Sequence, residues 1–337
     1  MYEYEFDFIG FGALNVDIFY SLLLDKSSVD VMPELYPGGE LIGTEQVRNL
    51  VLENVEKYAK IIGRSGGGQS ANTAVALSRM GFRCGFIGKV GNDNSGELLL
   101  ESLENVDKSH VQRDDNSGVC LCILDQKGER ANVIFPGCND KISISKSDID
   151  YVKSGKFLHL TSFCSENVLE LQEQLLEYDL SDTEITFDPG EIYSRLGIKK
   201  LYGILKHTKI LFATTEELRL MTGRESREAI KEIIDYGTEI VVCKMSELGS
   251  MVISNEINLT IPITHVDKVV DKTGAGDVYA AGFIAGMLSG LSLESCGKLA
   301  SKVSALSITA YGREKYPDKK FLEHFKLMGQ CVYGAIQ

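Results

Sequence analysis

The eight cysteines include no C-x-x-C pair, so the spacing gives a structural zinc site little support. Buried free thiols in a reducing compartment are expected instead. Basic residues are outnumbered, 35 Lys and Arg against 48 Asp and Glu, giving a net charge of −13. That balance speaks against a nucleic-acid or anionic-membrane partner, since both require a basic surface. The N-terminus carries Glu3, Glu5 and Asp7 where a secretory leader would be basic. The longest mostly apolar stretch, Val278 to Leu291, is too short and too glycine-rich to span a bilayer. Internal repeats and low-complexity linkers are also missing. A cytoplasmic protein is the resulting expectation.

What is present is a rhythm. Apolar runs of strand length alternate with longer amphipathic segments over 337 residues. Strands are expected at 6–12, 84–90, 119–124, 156–160, 184–188, 208–213, 239–244 and 250–253. Helices are expected at 70–80, 96–104, 165–178, 215–221, 226–236, 276–289 and 293–310. Gly81, Gly223, Gly237 and Gly290 stand where helix C-caps belong. Such alternation implies an α/β sandwich, with a mainly parallel central sheet covered on both faces. Two stretches depart from it, at about 13–62 and 112–137. The first has a Pro/Gly-marked polar part and then a helix at 45–62. The second reads as a meander with a turn at 125–128. Together they suggest a small β-sheet lid on one α/β domain spanning 1–337.

Asp271-Lys-Thr-Gly-Ala-Gly-Asp277 runs directly into an apolar helix. The first N–H groups of a helix lack internal partners and sit at its positive end, so the loop can cradle a phosphate or a developing anion. Gly274 and Gly276 allow close backbone approach. Asp277 places a carboxylate beside that site. Asp as N-cap and Gly as turn residue explain part of this run, but not two carboxylates bracketing Thr-Gly-Ala-Gly. Gly66-Gly67-Gly68-Gln69-Ser-Ala-Asn72 also opens a helix. The overlapping run Gly63 to Ser70 nearly fits a P-loop but lacks the lysine that reaches the β- and γ-phosphates. Ile9-Gly-Phe-Gly-Ala-Leu-Asn15-Val-Asp17 ends a strand with two short polar side chains, and a carboxylate there can read a diol. Its glycines do not complete a dinucleotide fingerprint, which removes the support for a Rossmann oxidoreductase.

The 271–277 run resembles the D-x-T-G-A-G-D signature of ribokinase-like (PfkB) carbohydrate kinases, and 66–72 is similar to that family's G-G-x-x-x-N element. The resemblance extends from Phe6 to about Gly312 and implies a ribokinase-like three-layer sandwich. It implies ATP-dependent phosphorylation of a hydroxyl, with Asp277 as base and Gly274, Ala275 and Gly276 as anion hole. Asn15, Asp17, Gly67, Gly68 and Asn72 match substrate-binding positions. Thr214, Ser246, Gly249, Thr273, Gly274 and Gly276 match the nucleotide side, with Thr214 and Ser246 departing from the family's usual Asn and Gly. Glu217 falls on the Glu that organises Mg²⁺, although Glu216 and Glu217 equally suit a helix start. Asp271 and Thr273 match a monovalent-cation site, for which K⁺ is the candidate. The implied partner is a small sugar or nucleoside, and a homodimer through the lid is compatible with the resemblance.

Gln69 replaces the lysine of ribokinase proper, and Arg130 reads as a solvated lid residue, so the acceptor is expected to be uncharged. The segment from Asp17 to Gly66 resembles the lid of adenosine-kinase-like members. A nucleoside base would need apolar walls, for which Phe135 and Phe163 are the candidates. A sugar is favoured, a nucleoside is the alternative, and a catalytically idle sugar-binding protein is a more distant one.

Overall fold

The computed structural model describes residues 4–333 apart from Asp25, 127–129 and Ser181. The expected turn at 125–128 therefore lies partly outside the described residues. Nine strands form the large sheet. In spatial order they are Asn258–Ile261, Ser250–Ile253, Ile240–Lys244, Thr208–Thr214, Glu184–Asp188, Gly155–Thr161, Phe6–Phe11, Cys84–Gly91 and Val106–Asp114. All pairs are parallel except the two at the Asn258–Ile261 end.

Period-two alternation divides the strands between two cores. Phe8, Ile210, Phe212 and Val242 face one way, onto helices Gln69–Arg79, Ala275–Leu288 and Leu293–Ser307. Ile9, Phe11, Leu211, Ala213, Val241 and Cys243 face the other, onto helices that include Glu166–Leu176, Thr215–Thr222 and Ser226–Asp235. This is the three-layer sandwich that the alternation implies.

A second sheet of five strands has the order Glu40–Ile42, Arg130–Phe135, Gly118–Leu124, Asn15–Leu22, Ala59–Gly67. One face is apolar: Leu22, Leu121, Ile123, Ala131 and Val133 pack with Val51 and Val55 of helix Glu45–Tyr58. The other face carries Asp17, Cys120, Cys122, Asn132 and Ile134 toward a cavity. The expected helix at 45–62 thus ends at Tyr58. Ala59–Gly67 is instead a strand, paired antiparallel to Asn15–Leu22. Asn15 and Asp17 lie within a strand, not in a turn, and the Phe6–Phe11 strand before them is central in its sheet. No helix among the described residues is long and apolar enough to cross a membrane.

Helices Ala275–Leu288 and Leu293–Ser307 touch through glycine. A Cβ on Gly282 would lie 2.4 Å from Val303 Cγ2 and 2.7 Å from Ala300 Cα, the latter in a backbone that cannot give way. Gly282→Val should therefore destabilise the protein by about 1–3 kcal/mol through overpacking. A urea midpoint equal to that of the wild type would contradict this packing.

Candidate active site

A cavity of about 290 Å³ lies between the C-terminal strand ends of the large sheet and the polar face of the small one. Asp188, Thr214 and Lys244 line it from those strand ends, and the 272–277 loop lines one wall. Asn15, Asp17, Gly68 and Asn72 line it from the 9–17 and 66–72 motifs. Ligands in open α/β sheets bind at this edge.

The loop geometry follows from its residues. Gly274 has φ +72°, a left-handed conformation that an L residue adopts at a cost, and it caps helix Ala275–Leu288. The Ala275 amide is donated to the Lys272 carbonyl at 3.2 Å, while a helix leaves its next two amides without an internal acceptor. Asp271 braces the loop. Its two oxygens accept from the amides of Thr273 at 2.8 Å and Gly312 at 3.0 Å. Thr273 Oγ1 is buried with no hydrogen-bond partner among the described residues, an orphan that a bound ligand would satisfy.

Asp277 Oδ2 accepts from Asn72 Nδ2 at 2.8 Å, so the sequence-distant motifs meet directly. Asn72 Oδ1 accepts in turn from Arg313 Nε at 3.0 Å, which fixes the way the amide faces. Burial pushes the Asp277 carboxyl up to about 7, with Asp188 adding to the rise and Asn72 and Lys244 opposing it. Asp17 is pushed up to about 7 for the same main reason, against the pull of Arg130 and Arg313. Gly67 does not itself line the cavity. A Cβ there would stand 2.2 Å from Asp17 Oδ2, so glycine is what lets the carboxylate lie flat against the neighbouring strand.

On the opposite side, Lys244 Nζ donates to Asp188 Oδ2 at 2.8 Å, with the carboxylate buried and the lysine half-buried. The same amino group would lie 3.2 Å from a Cβ on Gly276, so it stands beside the loop. Glu217 lines the cavity, and burial raises its carboxyl. It also closes a capping box, in which Oε2 accepts from the Thr214 amide at 2.6 Å and Thr214 Oγ1 accepts from the Glu217 amide. The helix-start role and the cavity position therefore coexist. Ser246 is exposed and, with Gly249, sits outside the cavity lining, in the turn after strand Ile240–Lys244.

Four side chains gain weight that the motifs did not give them. Asp188 and Lys244 are the last residues of their strands. Arg313 lies just past the resemblance, and Arg130 lines the cavity among Glu40, Asp17 and two cysteines instead of projecting into solvent. Phe163 lines the cavity, but Phe135 turns into the apolar face of the small sheet.

This geometry is that of a phosphotransferase cleft, and comparison with known proteins gives it a family. The chain belongs to the pfkB family of carbohydrate kinases, whose model matches residues 40–319. It is an ATP-dependent kinase of that family. An uncharacterised sugar kinase of Archaeoglobus fulgidus is 36% identical over 249 residues, covering 72% of this chain and 98% of the relative. A nucleoside kinase of Methanothermobacter thermautotrophicus is 28% identical over 74% of this chain and 80% of its own length. In fold, the chain matches a probable sugar kinase from Rhizobium etli with a TM-score of 0.82 at 20% identity, covering 97% and 99% of the two chains.

The buried carboxylates make a prediction about stability. A carboxyl whose folded pKa is near 7 holds its proton more tightly than the unfolded chain, whose value is about 3.9. Its contribution is full below the unfolded value and is lost as pH rises through the folded one. The ligand-free protein should therefore melt at a lower temperature at pH 8 than at pH 5.5, and Asp277→Asn should reduce that difference. A melting temperature that rises steadily from pH 5.5 to 8, in wild type and variant alike, would contradict the burial of these groups as charges.

Proposed function

We propose that the chain phosphorylates a hydroxyl of an uncharged sugar, with Asp277 as general base. The observation that carries this reading is the Asn72–Asp277 contact, which puts the carboxylate between the acceptor-facing motifs and the mouth of the anion-binding loop. A carboxylate near neutrality is matched to taking a hydroxyl proton. Asn15, Asp17 and Gly68 bound the acceptor space, with Asp17 accepting from vicinal hydroxyls. Gly276, with the first turn of its helix, and Lys244 supply the positive field for the transferring phosphoryl group, where charge stabilisation matters most.

ATP is read as lying along the Thr273–Gly276 loop toward Thr214. Glu217 has one carboxylate oxygen outside its capping contact, a hard donor of the kind Mg²⁺ accepts, directly or through water. Bound there with the phosphates, Mg²⁺ would neutralise the charge on the transferring group. Asp271 and the unpartnered Thr273 hydroxyl fit a monovalent cation such as K⁺. The small sheet is read as a lid over the acceptor, within one domain formed by the whole chain, and as the surface through which a homodimer would form.

One observation favours a sugar over a nucleoside: of the two aromatic walls expected for a base, Phe163 lines the cavity and Phe135 does not. Arg130 faces the acceptor space but shares it with Glu40 and Asp17, so its charge is not left over for a second phosphate. Asp277→Asn should lower kcat by about 10²–10⁴-fold while leaving the KM for ATP nearly unchanged, because the amide keeps the shape and cannot take the proton. Wild-type turnover in that variant would remove the base assignment. A panel of free pentoses, hexoses and nucleosides should give turnover with a sugar. Micromolar use of adenosine, inosine or cytidine with no reaction of any free sugar would reverse the choice.

A further inference from the structure

Cys120 and Cys122 stand two residues apart on strand Gly118–Leu124, so their side chains share one face, and that face lines the acceptor cavity. Their sulfurs are 3.7 Å apart. Cys120 is paired in register with Asp17 on the neighbouring strand. One ligand atom from each of Asp17, Cys120 and Cys122 can be chosen so that all lie within 4.8 Å of one another, and all three residues are buried.

A disulfide does not fit this spacing. Alternate residues of a strand point their Cβ atoms the same way, so these stand about as far apart as the backbone positions, roughly 6.7 Å, whereas a disulfide holds its Cβ atoms at about 3.5–4.5 Å. A shared metal ion does fit. Two thiolates bound to tetrahedral zinc at about 2.3 Å each have sulfurs about 3.8 Å apart. The charges suit a cation. Two thiolates and a carboxylate carry three negative charges, of which a divalent ion offsets two, and the Arg130 guanidinium, which Glu40 also shares, offsets part of the rest. Sulfur donors select Zn²⁺ or Cd²⁺ over Mg²⁺, which takes oxygen ligands.

We propose that Asp17, Cys120 and Cys122 form a binding site for a thiophilic divalent cation, of which Zn²⁺ is the type. Binding displaces the two thiol protons to solvent and uses three coordination positions, leaving the fourth for water. Because the ion takes the Asp17 carboxylate, it excludes the sugar, so occupancy shuts the acceptor site. That last clause rests on the acceptor reading given above, but the binding itself does not.

The experiment is a titration of the reduced full-length protein with Cd²⁺ in the presence of Mg²⁺, following thiolate-to-metal charge transfer in the ultraviolet. Wild type should take up one Cd²⁺ at low concentration. Cys120→Ser, Cys122→Ser and Asp17→Asn should each weaken it by at least 10–100-fold, while Cys84→Ala, which alters a buried thiol elsewhere, should not. Absence of the band, or a band of equal strength and affinity in the Cys120→Ser and Cys122→Ser proteins, would overturn the site. Three variants and direct binding keep the test open if one variant fails to fold. Sugar added in excess should displace the metal. If binding is lost in the variants yet sugar does not compete, the metal site stands and it is the acceptor reading that falls.

Discussion

A half-buried, partly desolvated carboxylate beside a helix N-terminus is the constraint from which the rest of the cleft follows. Removing Asp277 from solvent penalises its charged form, and the surroundings offset that penalty only in part. Asn72 gives one hydrogen bond, Lys244 gives a positive field, and the helix gives its dipole. Each of these partners is itself anchored. Arg313 orients Asn72, Asp188 holds Lys244, and Asp271 ties the loop to Gly312. The result is a group poised near neutrality in a fixed place, which is what proton transfer to a positioned base needs.

The small sheet works by the same economy of faces. Its period-two alternation sends Leu121, Ile123, Ala131 and Val133 onto a helix, and Cys120, Cys122, Asn132 and Asp17 toward the cavity. One set of strands therefore supplies both the packing that makes the sheet stable and the polar groups that face the cavity. A one-residue slip in register would exchange the two.

Much of this was legible in the sequence. The α/β order emerged from apolar runs separated by glycine-ended amphipathic segments, because both faces of a parallel sheet must be covered. The 271–277 and 66–72 motifs lie in the cleft because glycine and short polar residues before a helix have local consequences. Strands Asn15–Leu22, Ala59–Gly67 and Val106–Asp114 were not legible. Their residues carry polar side chains on at least one face, and pairing, not local propensity, makes them strands. Helix 45–62 was read four residues too long for the same reason: Lys60, Ile61 and Ile62 suit either state until a partner strand is present. Arg130 was illegible as a cavity group, and Arg313 as the partner of Asn72, because nothing local distinguishes an arginine held inside the fold from a solvated one. The Asp188–Lys244 pair spans 56 residues and exists only in the folded chain.

The proposed chemistry of the cleft depends on the ionisation of Asp277 in the enzyme that receives the acceptor, and the pH dependence of kcat/KM for the acceptor reads it most directly. With ATP saturating, the acid limb should have its midpoint near 7, because burial holds the carboxyl at about that value. The limb should persist in Asp17→Asn, whose own buried carboxyl is removed. A midpoint near 4, where an ordinary solvated carboxylate titrates, would mean that the proton is taken by something other than the buried Asp277.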